Sequence, residues 1–416
     1  MNILYLAHRI PYPPDKGDKI RSYHQLRFLS ARHRIQLICF ADERRDLAHA
    51  DVLREFCASV DVVYRSPRAA RLLGLRGLLD GRAISVAAFD GGAVRRIAHR
   101  RLRDADAVVA FSSVMAQYVP EADGTPRVID FVDADSEKWR LYASRSRWPG
   151  SWIYGREAER LGRFEADAAR AWDHSLFVSE REARVLRERA PGVPVSVIGM
   201  GVDLGVFTRP PRHAGNGAGN GAPGDRTAGP SLVFTGMMDY FPNVDGVCFF
   251  AEEVLPIVRA AVPEARFTIV GRRPAAAVRR LAGHAGVEVT GAVPDVRPYL
   301  ASADVAVVPL RVSRGLQSKM LEAMAMELPV VATTPAFEGL NAPQGVGIEV
   351  ADDPRAFADR VIALLRDPAR RIEAGRRARA YVEAHHRWAD LGAALEALLE
   401  GLAARGRKPR RREAVS

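Results

Sequence analysis

Short β-branched runs alternate with longer helical patterns along almost the whole chain, and this alternation constrains the fold more than any other feature. In the first half, runs of strand length lie at Asn2–Ala7, Ile35–Phe40, Asp61–Tyr64, Ala107–Phe111, Arg127–Val132, Ser175–Val178 and Val195–Ile198. Helical spacing falls between them at Lys19–Arg32, Arg44–Ala58, Gly92–Leu102, Ser136–Trp172 and Glu180–Ala190. The second half repeats the pattern. Strands are expected at Ser231–Thr235, Arg266–Val270, Val287–Thr290, Asp304–Pro309, Pro329–Thr333 and Ile348–Val350. Helices are expected at Asn243–Ala261, Ala275–Ala282, Val296–Ala301 and Gln317–Met326, with three more after Ile348: Pro354–Leu365, Ala369–His385 and Trp388–Ala404. Strands joined through helices pair in parallel and are covered on both faces. Between the halves, His213–Gly229 reads HAGNGAGNGAPGDRTAG, a flexible-linker composition with no apolar face. The expectation is an α/β chain of two doubly wound, Rossmann-like domains facing a central cleft. Its boundaries are 1–207, a linker at 208–230, 231–385, a helix at 386–404 that packs back at the domain junction, and a basic tail at 405–416.

Charge narrows the partners. The chain of 416 residues carries a formal +11. The tail Arg405–Ser416 holds +5 and the stretch Arg65–Arg103, ten arginines against Asp80 and Asp90, holds +8, which leaves the rest at −2. The excess therefore sits in two patches suited to anionic surfaces. No apolar run reaches the roughly 18 residues of a membrane span, and Met1 leads directly into a strand pattern, so neither a spanning helix nor a cleavable leader is expected. Cys39, Cys57 and Cys248 form no Cys-x-x-Cys pair, which argues against a disulfide framework or a cysteine zinc site and for a cytoplasmic setting.

In parallel sheets, ligands bind at the carboxyl ends of strands beside helix N-termini. After the first strand comes HRIPYPPDKGDKIRS, where Gly17 permits close backbone approach just before a helix, or simply makes a strand-to-helix turn. No G-x-G-x-x-G follows any strand, which weighs against a nicotinamide dehydrogenase. The richest segment is Pro309–Thr333. A strand leads into a loop with Arg311, Arg314 and Gly315, then a helix whose first turn holds Lys319 and, three residues on, Glu322. Cations at a positive helix N-terminus are unfavourable alone but fit an anion such as a diphosphate. A carboxylate one turn further is suited to sugar hydroxyls. The plainer reading is a solvated helix start with an i,i+3 pair. Asp133, at the end of Arg127–Val132, is a candidate for sugar contacts, and Asp135 is the better candidate for capping the helix near Ser136. The ten histidines show no metal-binding spacing, and no metal site is expected.

The segment LEAMAMELPVV (Leu321–Val331) resembles the C-terminal signature of the family-4 retaining glycosyltransferases of the two-domain GT-B fold. Further matches lie at FTGMMDYFPN (Phe234–Asn243), FTIVGRRP (Phe267–Pro274), VTGAVPDVRPYLASADVAVVPL (Val289–Leu310), LFVSEREARVL (Leu176–Leu186) and GVDLGVF (Gly201–Phe207). YPPDKGDKIRSYHQLRFLS, DFVDADSEKW and RGLQSKMLEAMAM look more narrowly like the sugar transferases of bacterial PEP-CTERM/exosortase exopolysaccharide systems. The resemblance implies an acceptor-side first domain and a nucleotide-sugar-binding second one. It implies donor binding by Gly17, Gly236, Arg272, Val293, Gly315, Leu316 and Glu322, with Glu322 on the ribose, and catalytic roles for Asp133, Arg314 and Lys319. Three departures stand out. Arg314 occupies the position of the first signature glutamate. The usual Arg/Lys phosphate clamp is replaced by Met237, Met238 and Asn243, so that Arg314 and Lys319 are expected to supply the charge. Glu327 stands where the family has a helix-ending glycine, which costs about 1 kcal/mol if the left-handed conformation is kept.

The implied activity is metal-independent, retaining transfer of a sugar from a nucleotide-diphosphate donor, a co-substrate with no other cofactor, to a saccharide acceptor, in particular a lipid-linked one. Rival readings are a nucleotide-sugar epimerase of the same architecture and a nucleic-acid-binding protein. No acid/base pair supports the first and no recognition motif the second, and no nucleic-acid partner is expected. SPRAARLLGLRGLLDGR places Leu72, Leu75, Leu78 and Leu79 on one helical face, with Leu73 beside it. That face is expected either to lie on an anionic membrane surface or to pack into the first domain's core.

Overall fold

The computed structural model describes residues 1–120, 124–210 and 229–406. The linker expected at 208–230 lies outside the described residues from 211 to 228, as does the basic tail beyond residue 406. The chain divides into two units. One is Met1–Gly199 with the C-terminal helix that starts at Trp388, and the other is Met200–Arg387.

The first unit is built on β1 (Asn2–Ala7), β2 (Arg34–Ala41), β3 (Ser59–Tyr64), β4 (Ala107–Phe111), β5 (Arg127–Val132), β6 (His174–Phe177) and β7 (Val195–Val197). They form one parallel sheet in the order β3-β2-β1-β4-β5-β6-β7. The second unit contains β8 (Ser231–Thr235), β9 (Arg266–Val270), β10 (Val287–Gly291), β11 (Val305–Val308), β12 (Val330–Ala332) and β13 (Ile348–Val350), again all parallel, in the order β10-β9-β8-β11-β12-β13. Central strands such as β4 and β11 are buried at every residue, because helices cover both faces of the sheet. In each sheet the order reverses beside the first strand, between β1 and β4 and between β8 and β11. Loops at the carboxyl ends there splay apart and leave a crevice.

Two expected helices are interrupted, both by proline. Ser136–Trp172 is two helices, Asp135–Arg145 and Gly150–Ala171, because Pro149 has no N–H to continue the first ladder. Asn243–Ala261 breaks into Phe241–Phe249, a π-helical turn at Phe250–Val254, and Leu255–Ala261, since Pro256 cannot donate back to the preceding turn. The last helix, Trp388–Gly406, belongs to the first unit and packs on the Gly17–Ser30 helix. The His24 ring stacks on Trp388 at 4.5 Å, and Glu396 accepts from Arg32 at 2.7 Å and hydrogen-bonds His33 at 2.9 Å. Among the described residues, no helix is long and apolar enough to cross a membrane.

Candidate functional site

In the second unit, the loop after β8 and the loop after β11 flank the switch point. The Ser318–Ala325 helix starts at the end of the second loop, and Lys319 in its first turn reaches across to the first. Its Nζ donates to Asn243 Oδ1 at 2.8 Å and lies 4.7 Å over the Phe234 ring. Asn243 Nδ2 donates to the Met237 carbonyl at 2.9 Å, which fixes the amide so that its oxygen faces the lysine. Gly236 is required beside them: a Cβ there would sit 2.8 Å from Asn243 Nδ2 and 3.4 Å from Lys319 Cε. Arg272, in the loop after β9, meets the loop after β8, its Nε 3.1 Å from Met237 Sδ and its carbonyl accepting from Met238 N at 3.0 Å.

The loop after β11 turns at Gly315, whose φ of +60° is left-handed, and Gly339 packs against its carbonyl. Gln317 Nε2 donates to the Arg314 carbonyl at 3.1 Å, which holds Arg314, Gly315 and Leu316 at the mouth of the helix. Arg311, also in this loop, is drawn away into an ion pair with Asp245 at 2.6 Å and over the Phe249 ring at 5.1 Å. Lys319 and Glu322 are both half-buried. Burial pulls Lys319 down to about 8 and pushes Glu322 up to about 7, and their mutual attraction opposes each shift. A bound anion would restore the full charge of Lys319. Val293 follows β10, on the same carboxyl edge but two strands from the switch point. Glu327, exposed after the Ser318–Ala325 helix, adopts φ +54°, so a left-handed turn is kept here without glycine.

In the first unit, Asp133 follows a strained strand end. Val132, β-branched, sits at φ +67°. The strain is held by Asp130, fully buried, which accepts from Val132 N at 3.1 Å, Arg21 Nε at 2.8 Å and Gln25 Nε2 at 2.7 Å. Asp133 is therefore presented by a rigid polar core. The expectation that Asp135 caps the next helix is corrected. Asp135 lies inside the first turn and pairs with Lys138, while Glu182 accepts from Ala134 N at 2.8 Å and Glu165 from Ser136 N at 3.1 Å. Burial raises Glu165 to about 8. At Gly17 a Cβ would meet nothing within 4 Å, so no protein contact demands glycine there.

A charged cluster that no sequence motif announces sits at the first sheet's switch point. His8, just beyond β1, lies 3.2 Å from Asp18, and Arg9 bridges Asp18 at 2.8 Å to Asp42 at 3.0 Å, with Arg65 also on Asp42. Burial opposes ionisation of Asp18, but His8 and Arg9 outweigh it and hold the carboxyl far below the usual range. The signal was available in the charge density of HRIPYPPDKGDK.

Two all-parallel, doubly wound sheets in two units of one chain define the GT-B glycosyltransferase fold. Residues 229–367 match the family model described as "Glycosyl transferases group 1". A GDP-mannose-dependent monoacylated alpha-(1-6)-phosphatidylinositol monomannoside mannosyltransferase from Corynebacterium glutamicum is 34% identical over 161 residues, which are 36% of this chain. The chain spans 42% of the length of that relative. Sucrose-phosphate synthase from Thermosynechococcus elongatus superposes with a TM-score of 0.71 at 16% identity, over 97% of this chain and 100% of that one. HepE from Anabaena, solved in complex with UDP, gives 0.69 at 14% identity over 96% and 100%. These likenesses establish the fold along nearly the entire chain, and the family match falls on the unit that carries Lys319, Asn243 and Glu322.

Proposed function

We propose that this chain transfers a sugar, with retention, from a nucleotide-diphosphate donor to a hydroxyl of a saccharide acceptor. The observation that carries the reading is Lys319 drawn onto Asn243 at the switch point of the unit that matches group 1 glycosyltransferases. In this reading the diphosphate lies against the N-terminus of the Ser318–Ala325 helix. Backbone N–H groups, Lys319 and Arg314 meet the negative charge that grows on the leaving group. Fixed cations take the place of a divalent metal. Glu322, one turn deeper, accepts from the ribose hydroxyls. Gly236, Gly315, Leu316, Arg272 and Val293 shape the rest of the donor site, and Gly17 leaves room for close backbone approach. Asp133 contacts sugar hydroxyls from the acceptor-side unit. Retention needs no nucleophilic carboxylate pair here, because the departing phosphate oxygen can take the acceptor proton on the same face.

The narrower sequence resemblance supports a lipid-linked acceptor in bacterial exopolysaccharide synthesis of the PEP-CTERM type. The arginines of Arg65–Arg103 support peripheral attachment at the cytoplasmic face of an anionic membrane. A thermal-shift screen of nucleotide sugars tests the donor site. It should include both guanosine and uridine diphosphate sugars, since the mannosyltransferase relative is named for GDP-mannose and the HepE structure holds UDP. A ligand at 100 times its dissociation constant stabilises by about 2.7 kcal/mol. No shift with any sugar nucleotide would contradict the reading.

A further inference from the structure

The Pro67–Leu79 helix turns three of its five leucines outward, while Leu73 and Leu78 are half-buried. Leu72, Leu75 and Leu79 are 69%, 59% and 89% exposed, whereas Ala70, Gly74 and Gly77 are the buried positions. The small residues let the helix sit close on Ile84–Ala88: a Cβ at Gly77 would lie 2.8 Å from the Ala87 Cβ, and one at Gly74 would lie 3.1 Å from the Ile84 side chain. Packing of these three leucines into the core is thereby excluded.

The Gly150–Ala171 helix reaches the C-terminal end of this one through two arginines. Arg160 lies against Gly81, and Arg156 donates to the carbonyls of Gly77 at 3.1 Å and Leu78 at 2.8 Å. One turn further back on the same face is Trp152, 60% exposed, and Trp148 just before the helix is 82% exposed. Five of the large apolar side chains most open to water thus belong to two neighbouring elements. Their surroundings are rich in arginine. Arg68, Arg71 and Arg76 lie on one segment and Arg140, Arg145 and Arg147 on the other; neither 66–79 nor 140–156 contains an acidic residue, and Asp80, which follows Leu79, is paired with Arg82.

Exposed leucine and tryptophan ringed by arginine, with no carboxylate interspersed, is the chemistry of an anionic lipid–water interface. We infer that Leu72, Leu75, Leu79, Trp148 and Trp152 form an insertion face that enters an anionic phospholipid surface while the surrounding arginines engage headgroup phosphates. The inference rests on the membrane attachment proposed above and adds to it a place and an apolar contribution. Attachment by arginines alone is purely electrostatic, whereas insertion brings tryptophan into the acyl boundary.

The test uses the full chain with vesicles of phosphatidylcholine and phosphatidylglycerol whose acyl chains carry bromine, which quenches only inserted tryptophan. Sedimentation and tryptophan emission are read together. The expected result is binding with quenching, loss of most quenching in Trp148→Ser/Trp152→Ser, and at least about a tenfold weaker partition for Leu72→Ser/Leu75→Ser/Leu79→Ser. These side chains are exposed, so an unchanged melting temperature verifies that the variants fold. Binding without quenching and without loss in the leucine variant would overturn this face while leaving membrane attachment intact. Absence of binding to anionic vesicles at low salt would overturn both. Self-association that the leucine variant abolishes, with no vesicle binding, would assign the face to a second copy and overturn the inference.

Discussion

Lys319 and Asn243, 76 residues apart in sequence, are joined by a 2.8 Å hydrogen bond that spans the switch point of the second sheet. The loop after β8 and the helix turn that follows it carry no cation of the kind the resemblance leads one to expect; Met237, Met238 and Asn243 stand there instead. The lysine arrives from the other side and uses the asparagine oxygen as its rest. An incoming phosphate oxygen would compete with a neutral acceptor, and a charge-assisted bond to an anion is roughly twice as strong as a neutral one.

Lys319→Ala and Arg314→Ala should each lower kcat/KM for the sugar nucleotide by at least about tenfold, or about 1.4 kcal/mol. Asn243→Ala should cost less, since it frees the lysine without removing the charge. Steady-state kinetics of the three variants decide the point, and wild-type values for Lys319→Ala and Arg314→Ala together would contradict the assignment.

The pH dependence follows from burial. With Lys319 held down to about 8, donor kcat/KM should fall as pH rises through that value and the lysine loses its proton. Lys319→Arg, whose side chain stays charged, should remove the fall. Stability moves the other way. The unfolded chain keeps this proton up to the ordinary 10.5, so between about 8 and 10.5 the lysine's contribution to stability rises with pH. Denaturant midpoints of wild type and Lys319→Met across that window give the sign.

Glu322→Gln keeps the shape of a ribose-binding group and weakens a charge-assisted bond. Donor KM should rise while turnover persists. The carboxyl is raised from 4.5 to about 7, so its contribution to stability is fully present below about 4.5 and lost as pH rises through 7. The glutamine variant should lack that loss. Abolished turnover with donor affinity intact would assign proton transfer to Glu322 instead.

Glu327→Gly should stabilise the protein by about 1 kcal/mol, because φ +54° costs a residue with a Cβ what it does not cost glycine. An unchanged or lowered melting temperature would show that the glutamate side chain compensates.

Much of this fold is legible in sequence because β-branched runs bounded by turn residues mark each parallel strand. β1, β4, β5, β8, β9 and β13 fall on the residues expected for them. Helix breaks were harder, although the breakers stand in the text. Pro149 and Pro256 lie inside strongly periodic stretches, where periodicity outvotes a single residue. The direction of the leucine face at 67–79 could not be read from its spacing. A heptad-like set of leucines is equally regular whether it points in or out, and the deciding signal was the small-residue stripe Ala70, Gly74 and Gly77. Site residues were found one at a time, but pairings such as Lys319 with Asn243 and His8 with Asp18 depend on strand order, which a sequence does not print.

The polar core beneath Asp133 should be costly to break. Arg21 and Asp130 are both fully buried and 2.8 Å apart. Asp130→Ala leaves a buried guanidinium uncompensated and releases Val132, for an expected loss of about 3–5 kcal/mol in equilibrium unfolding. A loss below about 1 kcal/mol would mean that water reaches the arginine.

In the proposed reaction a sugar leaves its nucleotide diphosphate for an acceptor hydroxyl. The most direct measurement is nucleoside diphosphate release from the sugar nucleotide that stabilises the protein most, with and without saccharide acceptors. Slow release alone, strong stimulation by one acceptor class, and loss of that stimulation in Lys319→Ala are expected. Conversion of the sugar nucleotide to its epimer without release would contradict sugar transfer.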